Sequence, residues 1–341
     1  MTTISLCMIV KNEEEVLARC LDAIRDLMDE IIIVDTGSVD RTKEIAQRYT
    51  GQVYDFRWID DFSAARNFAF SKASCEYIYS ADADEVLDEE NREKFRLLKQ
   101  TLLPEVEIVQ MYYGNQLSHG TVYNFDKELR PKLFKRQREF RWIEPVHETV
   151  RLLPVVFDSD IEITHKPHDS HADRDLAIFG NLTGKGEPLS DRLFTMYARE
   201  LLISGDEEQL KGAEDFFTRA ADGVNTGLEQ MKEALCVVVR AARVRKDDLK
   251  MYRYAMKGVT DEGISEVCFE LGEYYLQQKD YEEATIWYYN AAYETASILN
   301  IHTGGDLPLQ RLAQCYETLG DQDQAAKYKE AAREWASQMR D

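Results

Sequence analysis

An α/β unit followed by an all-helical unit is the fold class this chain predicts, and two observations predict it. From the start to about residue 100, short apolar runs alternate with helical patterns, which is the grammar of β-α-β units in a mostly parallel, doubly wound sheet. After Asp173 the pattern is helical almost throughout and carries a weak internal repeat. The 341 residues, 44% of them hydrophobic, are enough for two units with separate cores. The change of pattern divides them as 1–172 and 173–341.

The first strand covers Ile4 to Val10, a helix follows over 14–27, and the second strand covers 31–34. A further unit has a helix at 42–49, a short strand at 52–54, a helix at 63–73 opened by Ser63 as N-cap, and a strand at Tyr77. Between about 105 and 165 the pattern turns to strands and loops, at 106–113, 132–134 and 161–165, read as the second half of the sheet. In the helical part, Leu271-Gly272-x-x-Tyr275 is followed by Ala284, Tyr288 and Ala291. These small and aromatic residues fall where a tetratricopeptide helix pair packs them. Leu312-Ala313-x-x-Tyr316, with Ala325 and Ala332, repeats the scheme 41 residues later. The usual period is about 34, so 300–306 reads as an insertion. Ala213, Phe217 and Ala220 suggest an earlier, degenerate copy. An ordinary bundle whose small residues let helices approach would show the same pattern.

The balance of 63 acidic against 42 basic residues, a net charge of -21, argues against binding nucleic acid through its phosphates and against docking on an anionic membrane. No run of about 18 apolar residues is present, so no spanning helix is expected. Six scattered cysteines form no C-x-x-C pair, and the N-terminal strand lacks the positive region of a signal peptide. A reducing, cytoplasmic setting is expected.

In open α/β sheets, ligands sit beyond the carboxyl ends of the strands. Three polar clusters fall at such ends: Lys11-Asn12-Glu13, Asp35-Thr36-Gly37-Ser38 and Asp82-Ala83-Asp84-Glu85. The last follows the apolar run Tyr77-Ile78-Tyr79. Gathered carboxylates hold a hard divalent cation that can grip a pyrophosphate, although the run alone also fits a solvated acidic turn. Asp35 can accept from a base N–H or a ribose hydroxyl. Glu13 can do the same, with the backbone near Val10 lining the base, or it can be an acid facing a helix dipole. Gly37 permits a turn, and Thr36 or Ser38 can cap the next helix. Arg66 can pair with a phosphate, or brace Asp35 or Asp82. The basic cluster Arg130, Lys132, Lys135, Arg136, Arg138 and Arg141 stands out in so acidic a chain. At most about half of it can face one site, because alternate strand positions point opposite ways.

Four segments occur in fixed order: Met8-Ile9-Val10-Lys11-Asn12-Glu13, Ile33-Val34-Asp35-Thr36-Gly37-Ser38, Asp61-Phe62-Ser63-Ala64-Ala65-Arg66-Asn67 and Asp82-Ala83-Asp84-Glu85. Together they closely resemble the family 2 glycosyltransferases of the Rossmann-like, nucleotide-sugar-binding A-type fold. The resemblance continues through Arg130-Pro131-Lys132-Leu133-Phe134-Lys135 and Phe140 to Glu148. That stretch looks like the bacterial branch that couples this domain to tetratricopeptide repeats and includes peptide and protein glycosyltransferases. The resemblance implies that Asp35 contacts the nucleoside, that Arg66 faces the diphosphate, and that Asp84 ligates Mn²⁺ or Mg²⁺. It further implies that Asp82, beside Ala83, contacts the ribose or reaches the metal through water. His165 is the expected additional metal ligand, with His147 as the other candidate. Glu148 is the expected acidic base, with Glu144 and Asp169 as rivals.

The function so implied is an inverting, metal-dependent transfer of a hexose of the glucose or N-acetylglucosamine type. It runs from a UDP-sugar to a hydroxyl or thiol of a peptide or protein, with the repeats recruiting the acceptor or mediating a homodimer. A glycan or lipid-linked acceptor, or an inactive scaffold, are the alternatives. A nucleotidyltransferase would need a glycine-rich basic loop where Lys11-Asn12-Glu13-Glu14-Glu15 stands.

Overall fold

The computed structural model describes residues 2–114, 127–151, 155–166, 172–186, 188–223, 226–260 and 262–338. Two compact units, Met1–Ser170 and His171–Asp341, divide the chain.

The first unit is built on β1 (Ile4–Val10), β2 (Glu30–Asp35), β3 (Val53–Asp55), β4 (Tyr77–Ala81), β5 (Glu85–Val86), β6 (Ile108–Gly114), β7 (Glu128–Lys135) and β8 (Val156–His165). Their order in the sheet is β3-β2-β1-β4-β7-β6-β8-β5. The run β3-β2-β1-β4 is parallel throughout, as the β-α-β spacing requires. The second half is mixed: β7 lies antiparallel between β4 and β6, β8 runs parallel to β6, and β5 runs antiparallel to β8. Among the described residues, four α-helices belong to this unit: α1 (Leu17–Ile24), α2 (Thr42–Gln47), α3 (Phe62–Phe70) and α4 (Glu89–Thr101).

Alternation along the strands sorts side chains to two faces. Ile4, Leu6, Met8 and Val10 of β1 join Leu17 and Leu21 of α1 and Phe95 and Leu98 of α4 in one core. Cys7, Ile32, Val34 and Ile78 face the other way, onto Ala69 and Phe70 of α3, with Phe134 and Trp142. Each such fully buried side chain contributes roughly 1.5–3 kcal/mol, so both faces of the central strands are fixed. Helix α3 is capped by Asp61, not by Ser63: the Asp61 carboxylate accepts from the Ala64 N–H at 2.9 Å and from the Ser63 hydroxyl at 2.7 Å. A carboxylate satisfies an orphan N–H and also meets the helix dipole, which is why it displaces the hydroxyl. Helix α1 starts three residues later than the apolar spacing predicts, after a turn in which the Val16 and Leu17 N–H groups donate to the Glu13 carbonyl.

The second unit contains α5 (Ala172–Gly184), α6 (Asp191–Ser204), α7 (Glu207–Ala221), α8 (Leu228–Val244), α9 (Asp248–Gly258), α10 (Ser265–Gln277), α11 (Tyr281–Tyr289), α12 (Asp306–Leu319) and α13 (Gln322–Gln338). The repeat positions are buried: Leu271, Ala284, Tyr288, Ala291, Leu312, Ala313, Ala325 and Ala332, and likewise Ala213, Phe217 and Ala220. At Gly272 a Cβ would stand 2.6 Å from the Tyr288 ring, so the glycine lets α10 and α11 approach. The extra residues between α11 and α12 are held by buried Glu266, whose carboxylate accepts from the N–H groups of Ile298, Leu299 and Asn300 at 3.1, 2.7 and 2.8 Å.

Candidate active site

Parallel pairing of β1 with β2 sets Val10 beside Asp35, and pairing of β2 with β3 sets Asp35 beside Asp55. The strand ends are then clasped by their loops. The Val10 carbonyl accepts from both the N–H and the hydroxyl of Thr36, at 2.9 and 3.1 Å. Asn12 bonds two successive residues of the next loop: its N–H donates to the Ser38 hydroxyl, and its side-chain oxygen accepts from the Val39 N–H, each at 2.9 Å. The Glu13 N–H donates to the Thr42 hydroxyl at 2.6 Å. Thr36 and Ser38 therefore tie the loops together; the side chain that turns back at α2 is Asp40, which accepts from the Thr42 N–H at 3.0 Å. Asp35 is buried and accepts from the N–H groups of Gly37 and Ser38, each at 3.1 Å. Gly37 sits at φ +107°, a backbone that a side chain would strain.

The carboxylates after β4 go to three different partners. Arg66, on α3, is the hub. Its guanidinium donates to Glu148 at 2.5 Å, to Asp82 at 2.7 Å and to the Ser80 hydroxyl at 3.1 Å, and it lies 5.0 Å from the centre of the Trp142 ring. Burial works against ionising Asp82, but Arg66, with Lys132 and Arg130, outweighs it and holds the carboxyl well below its ordinary range. Glu85 instead pairs with Lys132 of β7 at 2.7 and 2.9 Å, both side chains being buried. Burial dominates there and pushes the Glu85 carboxyl up to about 7 despite the lysine.

Asp84 meets His165. Antiparallel pairing of β5 with β8 sets Glu85 opposite His165, and the His165 Nε2 comes within 2.9 Å of the Asp84 Oδ2. The other oxygen, Oδ1, is buried with no hydrogen-bond partner among the described residues. An orphaned buried carboxylate oxygen beside an imidazole nitrogen fits a divalent cation such as Mn²⁺ or Mg²⁺, which takes oxygen and imidazole ligands. Asp84 and His165 would hold it. His147 lies instead in the 143–149 loop, where it and Glu144 adopt left-handed backbones at φ 47° and 71°. That loop is closed by pairing of Ile143 with Thr149 and carries Glu148 to Arg66. Asp169 lies outside the described residues.

The basic cluster divides along β7. Lys132 joins the acidic turn, and Arg130 stacks over Tyr113 at 4.0 Å while pairing with Glu128 at 2.6 Å. Three others turn elsewhere, Lys135 to the Pro104 carbonyl, Arg136 to the Cys75 carbonyl at 2.6 Å and Arg138 to Glu107, and Arg141 is exposed. Two participants carry no assigned role in a reading of the sequence: Ser80 and Asn67. Ser80, a polar residue inside the apolar β4, is the one that carries a local signal.

Residues 5–150 match the glycosyl transferase family 2 model. A TPR repeat-containing protein of Synechococcus elongatus is 37% identical over 150 residues, which are 44% of this chain and 36% of that protein. The SPbeta prophage-derived glycosyltransferase SunS of Bacillus subtilis is 28% identical over 223 residues, 61% of this chain and 51% of that protein. The chain thus spans about a third to a half of the length of these relatives. Glucosyl-3-phosphoglycerate synthase from Mycobacterium tuberculosis, solved in complex with Mn²⁺, uridine diphosphate and phosphoglyceric acid, is similar with a TM-score of 0.41 and 16% identity, over 55% of this chain and 80% of that one. On the family match and the sheet that carries it, the N-terminal unit of this chain is a glycosyl transferase family 2 domain.

Proposed function

We propose that the chain is an inverting glycosyltransferase that moves a hexose of the glucose or N-acetylglucosamine type from a UDP-sugar to a peptide or protein hydroxyl or thiol. The observation that carries the reading is the hub at Arg66, which holds Asp82 and Glu148 together beside the Asp84–His165 pair. In this reading Asp35, Glu13 and the backbone at Val10 and Ala83 cradle the nucleoside, and Asp82 takes the ribose side. A bound Mn²⁺ or Mg²⁺ supplies charge neutralisation for the departing diphosphate. Glu148 takes the proton from the acceptor, whose oxygen or sulfur forms a bond to the sugar C1 as the C1–O bond to UDP breaks on the opposite face. Arg66 keeps Glu148 aimed. The helical unit recruits the acceptor, supported by its repeat of buried small and aromatic positions. The setting is cytoplasmic, in keeping with six cysteines that all remain free thiols.

The test is UDP release from a panel of UDP-sugars with Mn²⁺, with Asp84→Ala and Glu148→Gln alongside the parent chain. Asp84→Ala is expected to lose metal-dependent UDP binding and turnover together. Glu148→Gln is expected to keep UDP binding and lose turnover by about 10²–10⁴-fold. No turnover and no metal-dependent UDP binding by the parent chain would overturn the enzyme reading, and full turnover by Glu148→Gln would overturn the base.

A further inference from the structure

We infer that Asn67 is a positioning residue for the base, a role that rests on the reading of Glu148 given above. Its side-chain amide forks around one residue of the neighbouring loop: Nδ2 donates to the Trp142 carbonyl and Oδ1 accepts from the Trp142 N–H, each at 2.9 Å. At the first residue of the same helix, the Phe62 N–H donates to the Pro145 carbonyl at 2.8 Å. Helix α3 thereby grips the segment that carries Glu148 at two backbone points and, through Arg66, at the carboxylate itself.

The loop needs that grip. Between the paired Ile143 and Thr149, Glu144 and His147 both hold left-handed backbones at φ 71° and 47°, which are sparsely populated for residues other than glycine. Trp142, Val146 and Val150 are buried on either side of them, so the loop enters and leaves the core around a stretch that does not favour its own shape. A side-chain amide is the group that offers a donor and an acceptor in one plane, matched to the N–H and C=O of a single residue. Standing next to Arg66, Asn67 is turned by about 100° around the helix, so the arginine reaches the sheet-end carboxylates while the amide reaches the loop. Asp35, Asp82, Asp84 and His165 stand on other elements, and the Asn67 amide directs its hydrogen bonds to Trp142. Loss of the fork therefore shifts Glu148 and leaves the donor side in place, and a misplacement of about 1 Å costs on the order of 10²-fold in rate.

Asn67→Ala and Asn67→Asp are compared with the parent chain and Glu148→Gln. UDP release from UDP-glucose and from UDP-N-acetylglucosamine is followed in Mn²⁺ with water as acceptor, beside calorimetric binding of UDP with Mn²⁺. Asn67→Ala is expected to lower kcat about 10- to 100-fold, with KM and the UDP Kd unchanged within about twofold. It should lower kcat no further in the Glu148→Gln background. Asn67→Asp, which keeps the acceptor and loses the donor, should fall between. Hydrogen exchange gives a readout that needs no donor: the amides of Ile143 and Thr149 should exchange at least about tenfold faster in Asn67→Ala. Unchanged exchange, wild-type kcat in Asn67→Ala beside an impaired Glu148→Gln, or a parallel loss of UDP binding would each overturn the role of Asn67. Wild-type turnover by Glu148→Gln would instead overturn the base, and this inference with it.

Discussion

Replacing Arg66 by alanine tests the hub directly. The side chain is 11% exposed and serves two carboxylates of unequal exposure, Asp82 at 37% and Glu148 at 12%. Removing one partner of a buried ion pair costs about 3–5 kcal/mol, because the other charge stays buried. Water can take over part of the Asp82 charge, so the uncompensated term falls mainly on Glu148 and the lower end applies, about 3 kcal/mol. For a unit of this size that lowers Tm by roughly 6–12 °C. The assay is thermal and urea unfolding at pH 7, followed by the fluorescence of Trp58 and Trp142 in the first unit. A pH series adds a sign. Arg66 holds the Asp82 carboxyl below its ordinary 3.8, so the stability this group contributes is fully present above that pH and is lost as pH falls further. Arg66→Ala should flatten that acid limb. Arg66→Lys should recover part of the stability but not the three-way fork, since an ammonium is a single point of charge. An Arg66→Ala chain within about 0.5 kcal/mol of the parent at pH 7 would refute the claim that this guanidinium holds the site together.

Two further outcomes follow from other buried charges. Lys132→Met strands Glu85, whose carboxyl already sits at about 7 rather than 4.5; a raised acid favours the fold below 4.5 and loses that contribution as pH rises toward 7. Lys132→Met should therefore cost about 3–5 kcal/mol at pH 8 and much less at pH 5, and adding Glu85→Gln should restore most of it; a loss independent of pH would contradict the pairing. Glu266→Ala leaves three backbone N–H groups without their acceptor. It should destabilise the helical unit by about 3 kcal/mol or more, read from Trp287 and Trp335 during urea unfolding.

Much of the fold was legible because it is written locally. Apolar runs three to seven residues long mark β1, β2 and β4, and turn chemistry marks their ends. The pairing direction of β6, β7 and β8 was not legible, since an antiparallel and a parallel neighbour bury the same residues. Nor was the length of β8: Phe157 and Asp158 pair with β6, yet an exposed phenylalanine beside a carboxylate carries no strand pattern. Helix α4 carries little sequence signal because nine of its thirteen residues, Glu89-Glu90-Asn91-Arg92-Glu93-Lys94-Arg96-Lys99-Gln100, are charged or amide, which leaves a thin apolar stripe of Phe95 and Leu98.

The acidic turn shows where such reading stops. Asp82, Asp84 and Glu85 are near neighbours, and one turn holds all three by giving each a different partner. The partners are Arg66 on α3, His165 on β8 and Lys132 on β7, segments 16, 81 and 47 residues away. Sequence shows the acids because they are adjacent, and it suggests Arg66 because a family pattern places it. The assignment of one partner to each acid depends on the sheet order, which carries β7 next to β4 and β8 next to β5. That order divides an otherwise uniform acidic run into a carboxylate held by Arg66, one facing His165 and one paired with Lys132. Exchanging Glu85 and Asp84 in sequence would keep the charge and the spacing yet set the shorter carboxylate against Lys132 and the longer against His165. The expectation is loss of metal-dependent UDP binding without loss of net charge, and retention of that binding would show that the acidity of the turn matters more than its order.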